Sequence, residues 1–460
     1  MADPNTTDLK QMDEAEVSML HWKIMLVSGM GFFTDAYDLF IIGVAMAMIK
    51  IEWHPTPLQT GLVTSTALIA SAVGAVLFGR IADLLGRKRI YGLEVLVLAA
   101  GALACGLAPN IGWLIAFRII LGLGIGGDYP VSATIMSEYA GKKSRGMLIS
   151  MVFAMQAAGL VFGPLFAAAL LASSLSHDLI WRILLAFGAV PALAVFYARR
   201  KIDETPRFKL ALEKRRASQT GAACAEGDFW GGYKCLTGNS RLLLRLLGAS
   251  LAWFFVDFAY YGNTVSSPLV LAALKPHASL LQRTLTQLEI FAIAAVPGYF
   301  LAAATMDRLG RKFIQNLGFL MMSVTFAAIA LIPGIEQKVL PFLIFYGLSY
   351  FFTEFGPNAT TFVYPAEIFP VGTRTTGHGI AAALGKIGAF AGVFTFPFLM
   401  RWHGLLSAEL AAAGVSILGL LVTATMLPET KGKSLEELNE KAGWESDPQA
   451  QAPNAAAAGT

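Results

Sequence analysis

Gly79-Arg80-Ile81-Ala82-Asp83-Leu84-Leu85-Gly86-Arg87-Lys88 closes one long apolar run, and Ala303-Ala304-Thr305-Met306-Asp307-Arg308-Leu309-Gly310-Arg311-Lys312 closes another in the second half of the chain. The shared Asp-x-x-Gly-Arg-Lys pattern is one of four echoes at nearly constant offset. Phe32-Phe33-Thr34-Asp35 returns as Phe254-Phe255-Val256-Asp257, and Asp203-Glu204-Thr205 as Pro428-Glu429-Thr430. Glu138, seven residues before Arg145, is matched by Glu367, seven before Arg374. Echoes in the same order at corresponding positions indicate a duplicated unit whose two copies run in parallel.

Composition says what the unit is made of. Hydrophobic residues are 55% of the 460 and charged residues 14%, against roughly 25% charged in a soluble domain, so most of the chain belongs in lipid. Apolar runs of about 20 residues cross a bilayer, and twelve are legible near 24–48, 60–81, 90–108, 112–138, 147–171, 180–199, 243–267, 286–305, 314–333, 340–365, 376–399 and 405–427. The reading is therefore an all-α membrane protein of twelve transmembrane helices in two pseudo-symmetric six-helix bundles. It divides into an N-terminal segment 1–20, a bundle 21–200, a central loop 201–242, a second bundle 243–430 and a tail 431–460. Gln219 to Gly227 and the Ala/Pro/Gln-rich tail after Trp444 have the composition of disordered chain.

The clusters Arg87-Lys88-Arg89, Lys142-Lys143-Ser144-Arg145, Arg199-Arg200-Lys201, Arg311-Lys312 and Lys431-Gly432-Lys433 all follow even-numbered spans. By the positive-inside rule both termini and the central loop are expected in the cytoplasm of a cell whose plasma (inner) membrane holds the protein. Net charge +4 reflects that face and suggests no nucleic-acid partner. Three cysteines are too few for a disulfide framework, and no Cys/His metal spacing or cofactor motif appears. Gly122-Leu123-Gly124-Ile125-Gly126-Gly127 lies within a span, so it is no nucleotide fingerprint. No nucleophile–base set supports an enzyme.

Polar residues inside the spans carry the functional reading, because a charge at bilayer depth costs at least about 2.5–3.5 kcal/mol and is seldom kept without a use. Asp128 sits in the middle of the fourth span among glycines, with Arg118 ten residues earlier as a candidate partner. Asp35 and Asp38 share a face of the first span, and Asp35 lies about 18 Å along the helix from Lys23, close to midplane. Trp253, Asp257 and Tyr261 form one stripe of the seventh. Gln156, Asp257, Asn358 and Lys386 all fall about 12–20 Å from the inner ends of their spans, and Lys386 is the one lysine in that layer. Glu94, Glu354 and His378 are also embedded and receive no role.

The Asp-x-x-Gly-Arg-Lys loops resemble the gating motif of the major facilitator superfamily over residues 20 to about 440. Within it, Gly126-Gly127-Asp128-Tyr129-Pro130-Val131-Ser132-Ala133-Thr134 resembles the signature of the phosphate:proton symporter family, which usually has Leu at Val131. Phe355-Gly356-Pro357-Asn358-Ala359-Thr360-Thr361-Phe362, Pro365-Ala366-Glu367 and the block from His378 to Ala389 are similar to it too. The resemblance implies a major facilitator fold and import of inorganic phosphate with protons by alternating access. It implies a substrate site of Tyr129, Gln156, Trp253, Asp257, Tyr261, Asn358 and Lys386. It also implies a proton-carrying acid on the first span, without deciding between Asp35 and Asp38, and Asp128 joins them as a coupling candidate. Asp83, Arg87, Asp307 and Arg311, with the pairs Glu138/Arg145 and Glu367/Arg374, are placed for a cytoplasmic latch of largely solvent-accessible pairs, each worth about 0.2–1 kcal/mol.

Four acids against Lys386 and Arg118 make a cavity that repels an anion until protons neutralise it, which is the reason to expect coupling. Without the resemblance, a cation or a neutral metabolite with protons is equally compatible with the composition. The alternatives are a proton-coupled carrier of an organic acid or sugar, or a membrane nutrient sensor that binds without turnover. The expected partners are phosphate, protons and lipid; a monomer suffices.

Overall fold

The computed structural model describes residues 11–217, 229–275 and 277–440. Every element among them is helical. Twelve helices are long and apolar enough to cross a membrane: Met19–Trp53, Pro57–Leu85, Arg87–Gly106, Ile111–Tyr139, Arg145–Leu171, His177–Arg200, Ser240–Ser267, Leu280–Leu309, Arg311–Leu331, Val339–Ile368, Arg374–Trp402 and Gly404–Met426. They are called spans 1 to 12 below. The chain is thus a multi-pass integral membrane protein, as its hydropathy predicts. Most helices overrun the apolar stretches read from sequence, because backbone hydrogen bonding continues into the flanking polar residues. Large apolar side chains such as Val73, Leu107, Ile293 and Leu340 remain outside, where lipid replaces water as their solvent.

The two six-span units meet along symmetry-related seams, span 2 against span 11 and span 5 against span 8. Spans 2 and 8 both end in a glycine with positive φ, Gly86 at 97° and Gly310 at 95°. Only glycine reaches that conformation without strain, so the Asp-x-x-Gly-Arg-Lys motif turns its chain at the same place twice. Between spans 6 and 7 the chain forms further helices, Pro206–Ala217 and Gly231–Gly238. The second is tied to span 2 by the Tyr233 hydroxyl donating to the Val76 carbonyl. Residues 219–227 and the tail beyond 440 lie outside the described residues. Cys105 is a free buried thiol and Cys235 is disulfide-bonded.

Two spans depart from α geometry. Span 8 widens to a π-turn at Phe291–Ala295, just ahead of Pro297. Span 10 does the same at Glu354–Asn358, where Gly356 has φ −102° and ψ −116°. Pro357 lacks the N–H an α-turn would use, and the extra residue re-aims the side chains on either side. π-bulges of this kind recur at functional sites.

Candidate functional site

The polar layer forms where spans 4, 5, 7, 8, 10 and 11 converge. Lys386 Nζ donates to Asp257 Oδ2 at 3.1 Å and to the Tyr261 hydroxyl at 2.8 Å. The same ammonium lies 4.5 Å from the Tyr129 ring centroid and 4.3 Å from that of Tyr261. Those faces stabilise it by cation–π attraction. Trp253 packs edge-on against Phe362 and His378 and lies 6.1 Å from the Tyr129 ring. Gln156 Nε2 donates to the Tyr129 hydroxyl at 3.4 Å and Gln156 Oε1 accepts from Tyr299 at 3.0 Å. Asn358 Nδ2 donates to Tyr299 at 3.3 Å and to Glu354 Oε2 at 2.5 Å.

All seven residues expected at a substrate site are therefore neighbours in one layer, each 2% exposed or less. None is open to solvent from either end, so the layer is occluded. A cation ringed by hydroxyl, amide and indole donors has the chemistry to hold a small oxyanion. Two members were missed, Tyr299 and Glu354. Tyr299 looks like any aromatic in an apolar run, while Glu354 stood out as an embedded acid with no visible partner.

The three expected proton sites differ sharply. Asp128 Oδ1 and Oδ2 accept from Arg199 Nη1 and Nη2 at 2.8 and 2.9 Å, and Oδ1 also from Ser132 at 2.5 Å. Arg199 Nη1 reaches Glu94 Oε1 as well, at 3.0 Å. The expected Asp128–Arg118 pairing does not form. Ten residues of one helix separate the two by about 15 Å, beyond a side chain's reach. Arg199 is also not the solvated member of a basic cluster that its sequence neighbours suggest, since it is wholly buried. At Gly31 a Cβ would fall 1.7 Å from Asp128 Oδ2, so only glycine leaves room for this pair.

Asp35 is also fully buried, but neither of its oxygens has a hydrogen-bond partner among the described residues. Asp128, Arg199, Asp38 and Lys386 are charged groups that act on it. Asp38 is set apart, facing Arg118 and packed against Gly188. The Tyr37 hydroxyl is engaged by the Leu184 carbonyl rather than by either acid. His378 Nε2 bonds the Phe362 carbonyl and the ring packs on Trp253, a structural position.

At the end of the bundle that carries the basic clusters, seven of the eight latch residues form two networks, and Arg145 joins neither. Asp83 bonds Arg87 at 3.1 Å and accepts from the backbone and hydroxyls of Thr375 and Thr376, at the start of span 11. Asp307 bonds Arg311 at 2.9 Å and accepts from Gly146 and Met147 N–H, at the start of span 5. Glu138 holds both Arg87 and Arg374, at 3.1 and 3.0 Å. Glu367 holds Arg311 at 2.7 Å. Thr205 and Thr430 donate to Glu138 and Glu367 respectively.

Two expectations need correction here. The pairs are not solvent-accessible: apart from Asp307, at 18%, their side chains are 1% exposed or less. The partners also differ. Arg374 crosses to Glu138, and Arg145 goes to Asp13 of the N-terminal segment at 3.3 Å. In neither half do the two residues seven apart meet: Arg374 reaches across to the opposite half, whereas Glu367 stays with Arg311 of its own half and Arg145 with the N-terminal segment. Asp13 also accepts from Arg207 at 2.6 Å, and Arg207 donates to Glu436. Burial acts to raise the Glu436 carboxyl, but Arg207 outweighs it and holds the group below its ordinary value.

Residues 29–393 match the Major Facilitator Superfamily. Among curated relatives, "Probable inorganic phosphate transporter 1-6" of Arabidopsis thaliana is 36% identical, with 94% of this chain and 96% of that protein covered. "Putative inorganic phosphate transporter 1-13" of Oryza sativa subsp. japonica is 37% identical, with 94% and 93% covered. Among solved structures, the major facilitator proton:xylose symporter XylE bound to 6-bromo-6-deoxy-D-glucose superposes with a TM-score of 0.77 at 21% identity, over 92% of this chain and 99% of that one.

Proposed function

The chain belongs to the major facilitator superfamily and, within it, to the family of inorganic phosphate transporters, and from that premise we propose that it imports inorganic phosphate together with protons by alternating access. Lys386 carries the reading. Its ammonium is held by Asp257, Tyr261 and the Tyr129 ring, in an occluded layer that both halves build. An arriving phosphate takes the ammonium from Asp257 and gathers donors from Tyr129, Gln156, Trp253 and Asn358. The relatives' names support phosphate over an organic acid or a sugar.

Proton coupling follows from charge. Phosphate beside Asp257 needs a neutralising proton, and Asp35 is the acid best placed to carry one. An ionised carboxylate buried without a partner is expensive, and holding a proton removes the cost. Asp128, by contrast, has the guanidinium of Arg199 as counter-charge. We therefore assign proton carriage to Asp35, with Asp128 and Arg199 as the charge pair against which it is exchanged and Asp38 as a secondary group. Moving charge against the membrane potential costs about 2.3 kcal/mol per charge per 100 mV. A monoanion gains from a negative interior only if more than one proton travels with it.

Alternating access requires that the seams open in turn. With the basic face in the cytoplasm, as the positive-inside rule implies, the closed latch locks that side. Calorimetry of the purified protein with phosphate tests the site, and Lys386→Ala should abolish the binding. Binding within a few-fold of wild type in that variant would overturn the assignment. Uptake into proteoliposomes under an imposed acid-outside gradient separates a carrier from a sensor. Competition by arsenate, sulfate, glucose and organic acids tests the cargo.

A further inference from the structure

We infer that Glu354 is a second proton-binding site, in the C-terminal half, whose protonation decides which end of the Asn358 amide faces the anion. The inference rests on the phosphate reading above. Glu354 opens the π-turn of span 10 and is fully buried. Its Oε2 accepts from Asn358 Nδ2 at 2.5 Å, while its Oε1 makes no well-formed hydrogen bond among the described residues, although the Tyr299 and Tyr260 hydroxyls also act on the carboxyl. Unlike Asp128 it has no ion pair among the described residues. Titratable groups that act on it include Tyr299 from span 8 and Tyr260 and Asp257 from span 7. Span 9 packs on the same turn through Gly318, against Gly356. The one charge among these neighbours is another acid.

The chemistry follows from what each group can donate. An ionised carboxylate only accepts, so Asn358 must present its NH2 to Glu354. Its second N–H points to the Tyr299 oxygen, and the end left for the cavity is the carbonyl oxygen, which repels an anion. A proton arriving on Glu354 turns the carboxylate into an O–H donor. The N–H···O bond to Asn358 breaks, an O–H···Oδ1 bond replaces it, and the amide turns over to present its NH2 to phosphate. Tyr299 relays the arrangement to Gln156 and thence to Tyr129. Phosphate binding and protonation of Glu354 thus favour each other, and when phosphate leaves the proton departs to the same solvent. Glu354 and Asn358 stand four residues apart, the spacing at which side chains of one helix meet, and Asn358 also reaches the layer through Tyr299.

The test is calorimetric titration of the purified full-length protein with inorganic phosphate, across pH and in buffers of different ionisation enthalpy, to count protons taken up per phosphate. In Glu354→Gln the side-chain amide donates to Asn358 Oδ1 as the protonated acid would. Proton uptake should fall by up to one per phosphate. The alkaline loss of affinity should flatten by up to about tenfold per pH unit. Wild-type binding with an unchanged proton count in Glu354→Gln overturns this inference and leaves the phosphate reading intact. No phosphate binding by the wild type at any pH overturns both. If Glu354→Gln does not fold, the infrared difference spectrum on phosphate addition decides. A buried carboxylic-acid band that appears in wild type and shifts in Glu354→Asp supports the assignment, and its absence overturns it.

Discussion

Each half of the bundle buries an acid on its fourth helix, and the two halves satisfy it by different means. Asp128 stands ten residues before Glu138 and Glu354 thirteen before the matching Glu367, so they differ by about one helical turn. In the N-terminal half Arg199 comes from span 6 to bridge Asp128 and Glu94. At the corresponding places the C-terminal half has Ala424 and Gly318, and Glu354 meets an amide and two tyrosines. At Asp128 a guanidinium offsets the cost of burying the charge, whereas at Glu354 the partners are hydrogen-bonding groups without a counter-charge among the described residues. The duplicated scaffold has thus kept its shape while its halves diverged in electrostatics. The latch diverges in the same way, with Arg374 crossing to Glu138 while its counterpart Arg145 is taken by Asp13.

Removing Arg199 should expose the contrast most. Arg199→Leu leaves Asp128 and Glu94 buried without a counter-charge, a loss of about 3–5 kcal/mol in unfolding experiments in detergent. Adding Asp128→Asn and Glu94→Gln should restore much of it. A loss below about 1 kcal/mol would mean that the triad is not what holds the N-terminal acids.

The latch gives the next effect. Glu138 holds two arginines and Glu367 one, so Glu138→Gln should open the basic face more than Glu367→Gln. The readout is labelling of Ser150→Cys from that face, in a background lacking Cys105, Cys224 and Cys235. A difference of about 1 kcal/mol corresponds to roughly fivefold in the open population. Equal labelling in the two variants would make the asymmetry inconsequential.

Asp35→Asn and Asp38→Asn test the first-span acids. The first should stop concentrative uptake while sparing exchange of internal for external phosphate, since exchange needs no net proton movement. The second should reduce uptake only a few-fold. The reverse order would move the proton site next to Arg118.

The smallest effect is expected for Glu354→Gln on stability, within about 1 kcal/mol, because the new amide keeps a hydrogen bond to Asn358 and strands no counter-ion among the described residues. A loss as large as that of Arg199→Leu would show that a fixed counter-charge holds Glu354 after all.

The twelve spans, the duplication and the family were all legible in the chain, because hydropathy, glycine turns and motif spacing are local properties. The polar layer was legible in part. Gln156, Asp257, Asn358 and Lys386 declare their depth through helical rise alone, and a fixed rise per residue makes depth a property of sequence. What a side chain faces around the helix, and which helix stands opposite, is decided by packing. Hence Arg199 read as a surface cluster residue until span 6 was seen to aim it at Asp128, and Arg118 read as the partner of an acid that it cannot reach. Hence also the latch pairs were named within each half, when Arg374 and Glu138 meet across the seam. Asp13 and Tyr299 carry no mark in the sequence, since one lies in a short polar segment and the other in an apolar run. Sequence determined which charges lie in the membrane and how deep; only the tertiary structure decided which of them neutralise one another, because pairing depends on the rotation and neighbours of helices far apart in the chain.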